Sequence, residues 1–309
     1  MTYIGSRINN LPSGLGENYL IGASIRSKTD GLDIVMEILS DTLRCISKNA
    51  ELALKNTSIW KKMNTRRIHV YGVGAPRTGT LSLSKMFTPK YKSDHEPNYQ
   101  NIIPIVAQKH GVKKRYTRRR IKEELNRERL EVHVSHILVY VLEEIKNEFS
   151  NCKFICTYRK PKRWITSMLN RRIKYPLKNM TKQHPGRMWK IWRRISLGVP
   201  YKESKKLPKN KLHSARKYLK YWSWHYRSVI NKIPKERLLV IKTDNLSKSR
   251  KEVSKFLGIE KKELSKPKKN HETKNKIKLK SVFDEEKVEE KIEKYCKSTI
   301  EKMEKRVRT

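Results

Sequence analysis

The sequence predicts an α/β fold, a central and mostly parallel sheet covered by helices on both sides. Three observations point there. Runs rich in β-branched and aromatic residues at 67–73 (RIHVYGV), 153–158 (KFICTY) and 237–241 (RLLVI) have the length and composition of strands. Stretches with helical periodicity separate them, as the crossovers of a parallel sheet require. The first run leads straight into a glycine loop and then a helical segment, the strand–loop–helix order of a phosphate-binding unit.

Each element has its own signal. Residues 1–30 are rich in Gly, Ser and Asn without periodicity and are expected to dock loosely. An amphipathic helix is predicted over 32–55, with Ile34, Ile38, Leu39 and Leu43 on one face. Residues 61–67 form a basic linker into the first strand, and Ser82 to Phe87 read as the start of the helix after the loop. Residues 111–129 (GVKKRYTRRRIKEELNRER) predict a solvated helix, and 134–149 a helix with Ile137, Val141, Leu142 and Ile145 along one side. Pro161 suits the first turn of a helix after the second strand. The basic stretch 174–212, with four prolines, reads as an irregular insertion holding a short Trp-bearing helix at 188–195. A helix at 214–232 carries Trp222, Trp224, Tyr226 and Ile230. The helix at 248–257 ends at Gly258 as a C-cap. From 282 a charged helix follows. The expected parts are therefore an N-terminal extension (1–60), a main domain (61–275) and a charged C-terminal helix (276–309).

Composition narrows the partners without choosing among them. Lys and Arg number 73 against 30 Asp and Glu, a formal net charge of +43. Such a surplus repels itself and attracts nucleic acid, anionic lipid, sulfated or phosphorylated polymers, or acidic small ligands. Cys45, Cys152, Cys156 and Cys296 lack zinc-ligand spacing, so neither a metal site nor a disulfide framework is expected. The segment 32–47, the most apolar candidate for a membrane span, is broken by Asp33, Glu37, Asp41 and Arg44, well short of ~18 uninterrupted apolar residues. The expected location is cytoplasmic; the oligomeric state is not readable.

The stretch YGVGAPRTGTLSL at 71–83 carries the first chemistry. Gly74 and Gly79 have the G-x-x-x-x-G spacing of a nucleotide-triphosphate loop, but Thr80 stands where such a loop has Lys. Backbone N–H groups and the positive end of the next helix can hold a phosphate without that lysine. Thr78, Thr80 and Ser82 add hydroxyls, and Arg77 a fixed cationic fork. The second strand ends in Arg159, with Ser167 eight residues on, where a magnesium-binding strand would end in Asp. A cation and a hydroxyl at the carboxyl end of a sheet suit a second phosphate.

With these two blocks in place, the chain resembles the PAPS-dependent sulfotransferases, enzymes that use 3′-phosphoadenosine 5′-phosphosulfate (PAPS). The blocks are GAPRTGTLSL at 74–83 and FICTYRKPKRWITS at 154–167. A third runs from Trp222 to Ile259, through IPKERLLVI at 233–241, TDNL at 243–246 and FLGI at 256–259. The resemblance covers roughly residues 67–275 and is closer to the carbohydrate and prokaryotic branch than to the cytosolic aryl branch. It implies a P-loop NTPase-like sulfotransferase fold and metal-independent, in-line transfer of a sulfuryl group from PAPS to a hydroxyl or amine, with a carbohydrate as one acceptor class. It implies Arg77 at the bridging oxygen, with Thr78, Gly79, Thr80, Leu81 and Ser82 around the 5′-phosphate. Arg159 and Ser167 would clamp the 3′-phosphate, and Trp222 would stack on adenine.

The general base has two candidate pairs. HEP at 95–97 resembles a branch with these residues at the acceptor site, placing Glu96 first and His95 second. Glu131 and His133 compete. The third block departs from the family at Lys242, Thr243, Asp244 and Asn245, which argues against a site role for that segment. Lys268, Lys269 or Asn270 replaces the glycine-rich nucleotide clamp of the aryl branch. The basic insertions hint at an acidic acceptor such as a sulfated or uronic glycan. Rival readings are a kinase or NTPase with LLVIKTD at 238–244 as its second motif, a nucleic-acid-binding protein using 115–120 and 186–195, and an inactive relative that only binds.

Overall fold

Five short strands make one sheet with every pairing parallel, in the order β2-β3-β1-β4-β5: β1 (Val70–Gly72), β2 (Ser93–His95), β3 (Val132–Val134), β4 (Lys153–Tyr158) and β5 (Leu238–Lys242). This computed structural model describes residues 66–109, 114–174, 184–197, 212–267 and 278–307, together with Ile46. Chain contacts divide the protein at Lys61/Lys62, and everything below concerns the unit Lys62–Thr309. The expected helix at 32–55, Cys45 and Lys268, Lys269 and Asn270 lie outside the described residues.

Period-2 alternation sends side chains to two separate cores. Val70, Val132, Val134, Ile155, Leu239 and Ile241 face one side, where helices α1 (Thr80–Phe87) and, near the end of the fold, Arg250–Leu257 supply Leu83, Met86, Phe87, Val253 and Phe256. Tyr71, Phe154, Cys156, Tyr158, Leu238 and Val240 face the other. That larger core is closed by α2 (Tyr99–Lys109), α3 (Lys114–Arg127), α4 (Leu142–Glu148), α5 (Pro161–Lys174), α6 (His184–Leu197), α7 (Ala215–Lys232) and the C-terminal helix, with Arg250–Leu257 counted as α8 and Glu285–Glu304 as α9. Burial on both faces explains the near-continuous apolar runs of β4 and β5. Cys152, Cys156 and Cys296 are free and buried, acting as small apolar groups. α9 is not a solvated tail: Val288, Cys296 and Met303 are buried in the larger core, and Thr299 Oγ1 lies 2.8 Å from Ser223 Oγ on α7.

Two expectations need correction. Three strands were legible, β1 through the glycine motif that follows it; β2 and β3, three residues each, have no such motif beside them, and β2 reads SDH. The predicted helix 134–149 is three pieces. Val134 closes β3, residues His136–Val141 form a 3₁₀ turn, and only Leu142–Glu148 is α-helical. Ser135 Oγ accepts from Ile137 N at 3.3 Å to start that turn, whose residues are all buried. This puts His136, not a mid-helix residue, just beyond the carboxyl tip of a strand.

Candidate active site

The carboxyl ends of the strands open into one cleft of about 1600 Å³. Its floor is the loop after β1. Val73 N still donates to Ile155 O at 2.9 Å, and then the chain turns. A Cβ on Gly74 would fall 1.9 Å from Thr157 Oγ1, so this glycine is required by the close passage of β4. Protein donors hold the loop's carbonyls. His225 Nε2–H bonds Val73 O (2.9 Å), Thr78 Oγ1 bonds Ala75 O (2.6 Å), Trp164 Nε1–H bonds Pro76 O (2.7 Å) and Thr243 Oγ1 reaches Thr78 O (2.8 Å). With its oxygens drawn into the protein, the loop turns its positive side to the cleft. Arg77 (φ 68°) and Gly79 (φ 93°) are both left-handed, the alternation that curls successive N–H groups into a concave anion cradle. Gly79 caps α1 without a side-chain acceptor, so the first-turn N–H groups at 80–82 have no intrahelical partner.

The second wall comes from β4 and α5. Arg159 follows the last residue of β4, and Ser167 lies on the cleft face of α5. Arg159 Nε is buried with no hydrogen-bond partner among the described residues. Burial lowers the Arg159 pKa and Asp244 opposes that shift; an arginine stays charged regardless. A buried guanidinium N–H without a hydrogen-bond partner among the described residues, on a side chain that lines the cleft, fits an anionic ligand. Eight Lys and Arg side chains line the cleft against three carboxylates, which fits a doubly phosphorylated one.

The third wall comes from the tips of β2 and β3. His95 Nε2 lies 2.9 Å from Thr80 Oγ1, tying the end of β2 to the phosphate loop. Glu96, left-handed at φ 58°, places Oε1 2.5 Å from His136 Nδ1. Burial pushes the Glu96 carboxyl up, but His136, His95 and Arg171 together outweigh it and hold the group below the usual carboxylate range. Burial keeps His95 below its ordinary value, hence neutral at neutral pH. Trp189 stacks on His136 (5.7 Å) and on Tyr99 (5.0 Å), while Trp192 meets His136 edge-on at 4.6 Å.

Arg77, Gly79, Thr80, Leu81, Ser82, His95, Glu96, Arg159 and Ser167 therefore share one cleft. Four other expectations change. Thr78 is fully buried and its hydroxyl is shared with Thr157 Oγ1 (2.7 Å), so only its backbone is available to a ligand. Trp222 is fully buried in the core and its indole N–H donates to Arg159 O at 3.0 Å; it fixes Arg159 from behind rather than stacking on a base. Glu131 is held by Arg67 Nε (2.8 Å) and by the backbone N–H of Lys92 (2.8 Å), and His133 is enclosed within β3; neither lines the cleft. Thr243 and Asp244 do line it: Thr243 Oγ1 also reaches Tyr158 O (3.0 Å), and Asp244 pairs with Arg163. Sequence reading missed His136, Arg171, Trp189, Trp192 and Arg193. The available signal for His136 was Ser135, a polar stop after an apolar run. Among the described residues, no three His, Cys, Asp or Glu side chains converge as metal ligands.

Residues 69–275 match the sulfotransferase domain family, well over half of the chain. The chain belongs to the sulfotransferase family. Among solved structures, this sulfotransferase resembles one from Alicyclobacillus acidocaldarius at 14% identity and TM-score 0.41, over 78% of this chain and 95% of that one. It also resembles the sulfotransferase domain from the curacin biosynthetic pathway at 15% identity and TM-score 0.35, over 63% of this chain and 76% of that one. No curated protein sequence matches it. Membership of that family marks the protein as a transferase. No helix among its described residues is long and apolar enough to cross a membrane.

Proposed function

We propose that this sulfotransferase takes PAPS as donor and transfers its sulfuryl group in line to an acceptor hydroxyl or amine, carbohydrate hydroxyls included. One observation carries the reading: Arg77 and Arg159, from the tips of neighbouring strands, line the same cleft as the open N-terminus of α1. Bound PAPS would supply the sulfuryl group and, in 3′-phosphoadenosine 5′-phosphate (PAP), a stable leaving group. Arg77 and the N–H groups at 80–82 bind the 5′-phosphate and stabilise the charge that develops there. Arg159 and Ser167 bind the 3′-phosphate, with Arg159 steadied by Trp222 through its carbonyl. Glu96, ionised at neutral pH, accepts the acceptor's proton, and His136 Nδ1 holds that carboxylate in place. His95, neutral and bonded to Thr80, sets the spacing between the base and the phosphate loop. Positioning supplies most of the rate in such an arrangement.

Calorimetry with PAP tests the donor site. Wild type is expected to bind PAP in preference to ATP–Mg²⁺, and Arg77→Ala and Arg159→Ala each to weaken PAP roughly 10- to 100-fold, the worth of a charge-assisted bond. Glu96→Gln is expected to keep PAP affinity and lose roughly 10²-fold or more in turnover. PAP binding that survives both arginine substitutions would remove the assignment.

A further inference from the structure

Resting on the donor site proposed above, we infer that Tyr226, a positioning residue outside the cleft, sets the span between Arg77 and Arg159 and so selects a nucleotide with a phosphate at both ends. The sheet does not set that span by itself. β1 and β4 pair only as far as Gly72 and Ile155, with one more bond from Val73 N to Ile155 O at 2.9 Å. Both anchors lie past that last bond, Arg77 beyond Val73 and Arg159 beyond Ile155. Helix α7 meets both tips there. Trp222, His225 and Tyr226 stand at i, i+3 and i+4 on it and so share one face. All three are fully buried, and none lines the cleft. Each donates to a carbonyl at a strand tip: Trp222 Nε1–H to Arg159 O (3.0 Å), His225 Nε2–H to Val73 O (2.9 Å) and Tyr226 O–H to Thr157 O (3.1 Å).

Trp222 acts on β4 and His225 on the end of β1; Tyr226 acts on both sides. Its target residue, Thr157, shares its own hydroxyl with Thr78 Oγ1 at 2.7 Å, and Thr78 directly follows Arg77. The Thr78 side chain and the Arg159 backbone N–H also reach the Tyr226 phenol itself. One buried hydroxyl therefore touches the backbone or the chain neighbours of both arginines. Water cannot replace it there, so its removal leaves its partners short of a bond. Thr243 still joins Thr78 O to Tyr158 O, so that removal loosens the span without parting the strands. A looser span costs only a ligand that uses both anchors. Once one phosphate is bound, the other reaches its anchor as an intramolecular partner, an advantage that wrong geometry cancels. A singly phosphorylated nucleotide holds one anchor and moves with it.

Calorimetry compares PAP with 5′-AMP, which lacks the 3′-phosphate, on wild type and three variants. Tyr226→Phe deletes the hydroxyl and keeps the ring. Thr157→Val deletes the hydroxyl shared with Thr78. Tyr158→Phe is the control, a buried phenol on the same strand on which Glu304 acts. Wild type is expected to prefer PAP. Tyr226→Phe and Thr157→Val are each expected to lose roughly 5- to 20-fold in PAP affinity and less than about threefold in 5′-AMP affinity, while Tyr158→Phe keeps the wild-type ratio. A merely structural role for the hydroxyl moves both ligands together or neither. The ratio in Tyr226→Phe decides; if that variant does not fold, the ratio in Thr157→Val decides in its place. A wild-type ratio in the deciding variant overturns this inference alone, and so does an equal fall in Tyr158→Phe. Wild type that fails to bind PAP, or binds it no better than 5′-AMP, overturns the donor reading and this inference with it.

Discussion

Arg77 and Glu96, the cation expected at the transferring group and the expected base, are two of the four non-glycine residues in the left-handed region among the described residues. Each holds a conformation that costs roughly 1 kcal/mol or more in an L-residue, and each sits in the cleft. The cost is accepted at Arg77 because a glycine there supplies the turn but no charge. Arg77→Gly is therefore expected to raise the stability slightly, up to about 1 kcal/mol in urea unfolding, while losing PAP binding. Gly79→Ala moves the other way. It forces a Cβ into φ 93° and brings it 3.1 Å from Leu246 Cδ2, for an expected loss of about 1–2 kcal/mol. Equal stabilities of the two variants would deny the strain. Both glycines of the loop were legible in the sequence. The reason for Gly74 was not, because Thr157 reaches it from a strand 83 residues on in the chain, and that approach exists only after the sheet forms.

At the scale of elements, the site depends on how firmly the β1 loop is fastened to β4. Thr243, at the start of the turn after β5, bridges Thr78 O and Tyr158 O, and Trp222 on α7 holds Arg159 O. Thr243→Val keeps the shape and removes the donor. The expected result is a loss of about 1–2 kcal/mol in stability and a several-fold weaker PAP complex, although the valine touches no phosphate. Unchanged PAP affinity would show that the bridge serves the fold alone. These fastenings mark the limit of the sequence reading. β1, β4, β5 and the helices after them were legible because each is long and periodic, or because it carries a motif at fixed spacing. Thr243 looked like a departure from a family pattern and so like a non-participant; its role is one of contact, not of motif. His136 was hidden in the same way. A buried 3₁₀ turn has no polar face, so its residues resembled one apolar helix, and it was His133, three residues earlier, that entered the reading as a competing base.

For the whole molecule, the net charge of +43 was the plainest feature of the sequence, yet the acid response is governed by histidines whose burial no composition reveals. Burial holds His133 and His225 down to about 3, enclosed in β3 and under the β1 loop, and holds His69 to about 3 with more water nearby. An unfolded imidazole takes its proton as pH falls through about 6.5. Between that value and about 3 the unfolded chain binds more protons than the folded one, so stability must fall as pH falls across this window. At pH 5 the gap is about 1.5 pH units per histidine, about 2 kcal/mol each, or about 4 kcal/mol from His133 and His225, with His69 adding less. That is a large part of the 5–15 kcal/mol typical of a folded domain. Self-repulsion of the excess cations also grows in acid, but it grows as carboxylates protonate nearer pH 4 and is screened by salt. Urea unfolding at pH 7, 6 and 5 in about 0.5 M NaCl should therefore still show the loss between pH 7 and 5. His225→Gln, which can keep an N–H donor to Val73 O, should remove about half of it. Stability that stays level from pH 7 to pH 5 in that salt would mean that these imidazoles are solvated in the native protein, and that the loop under which His225 sits is not closed.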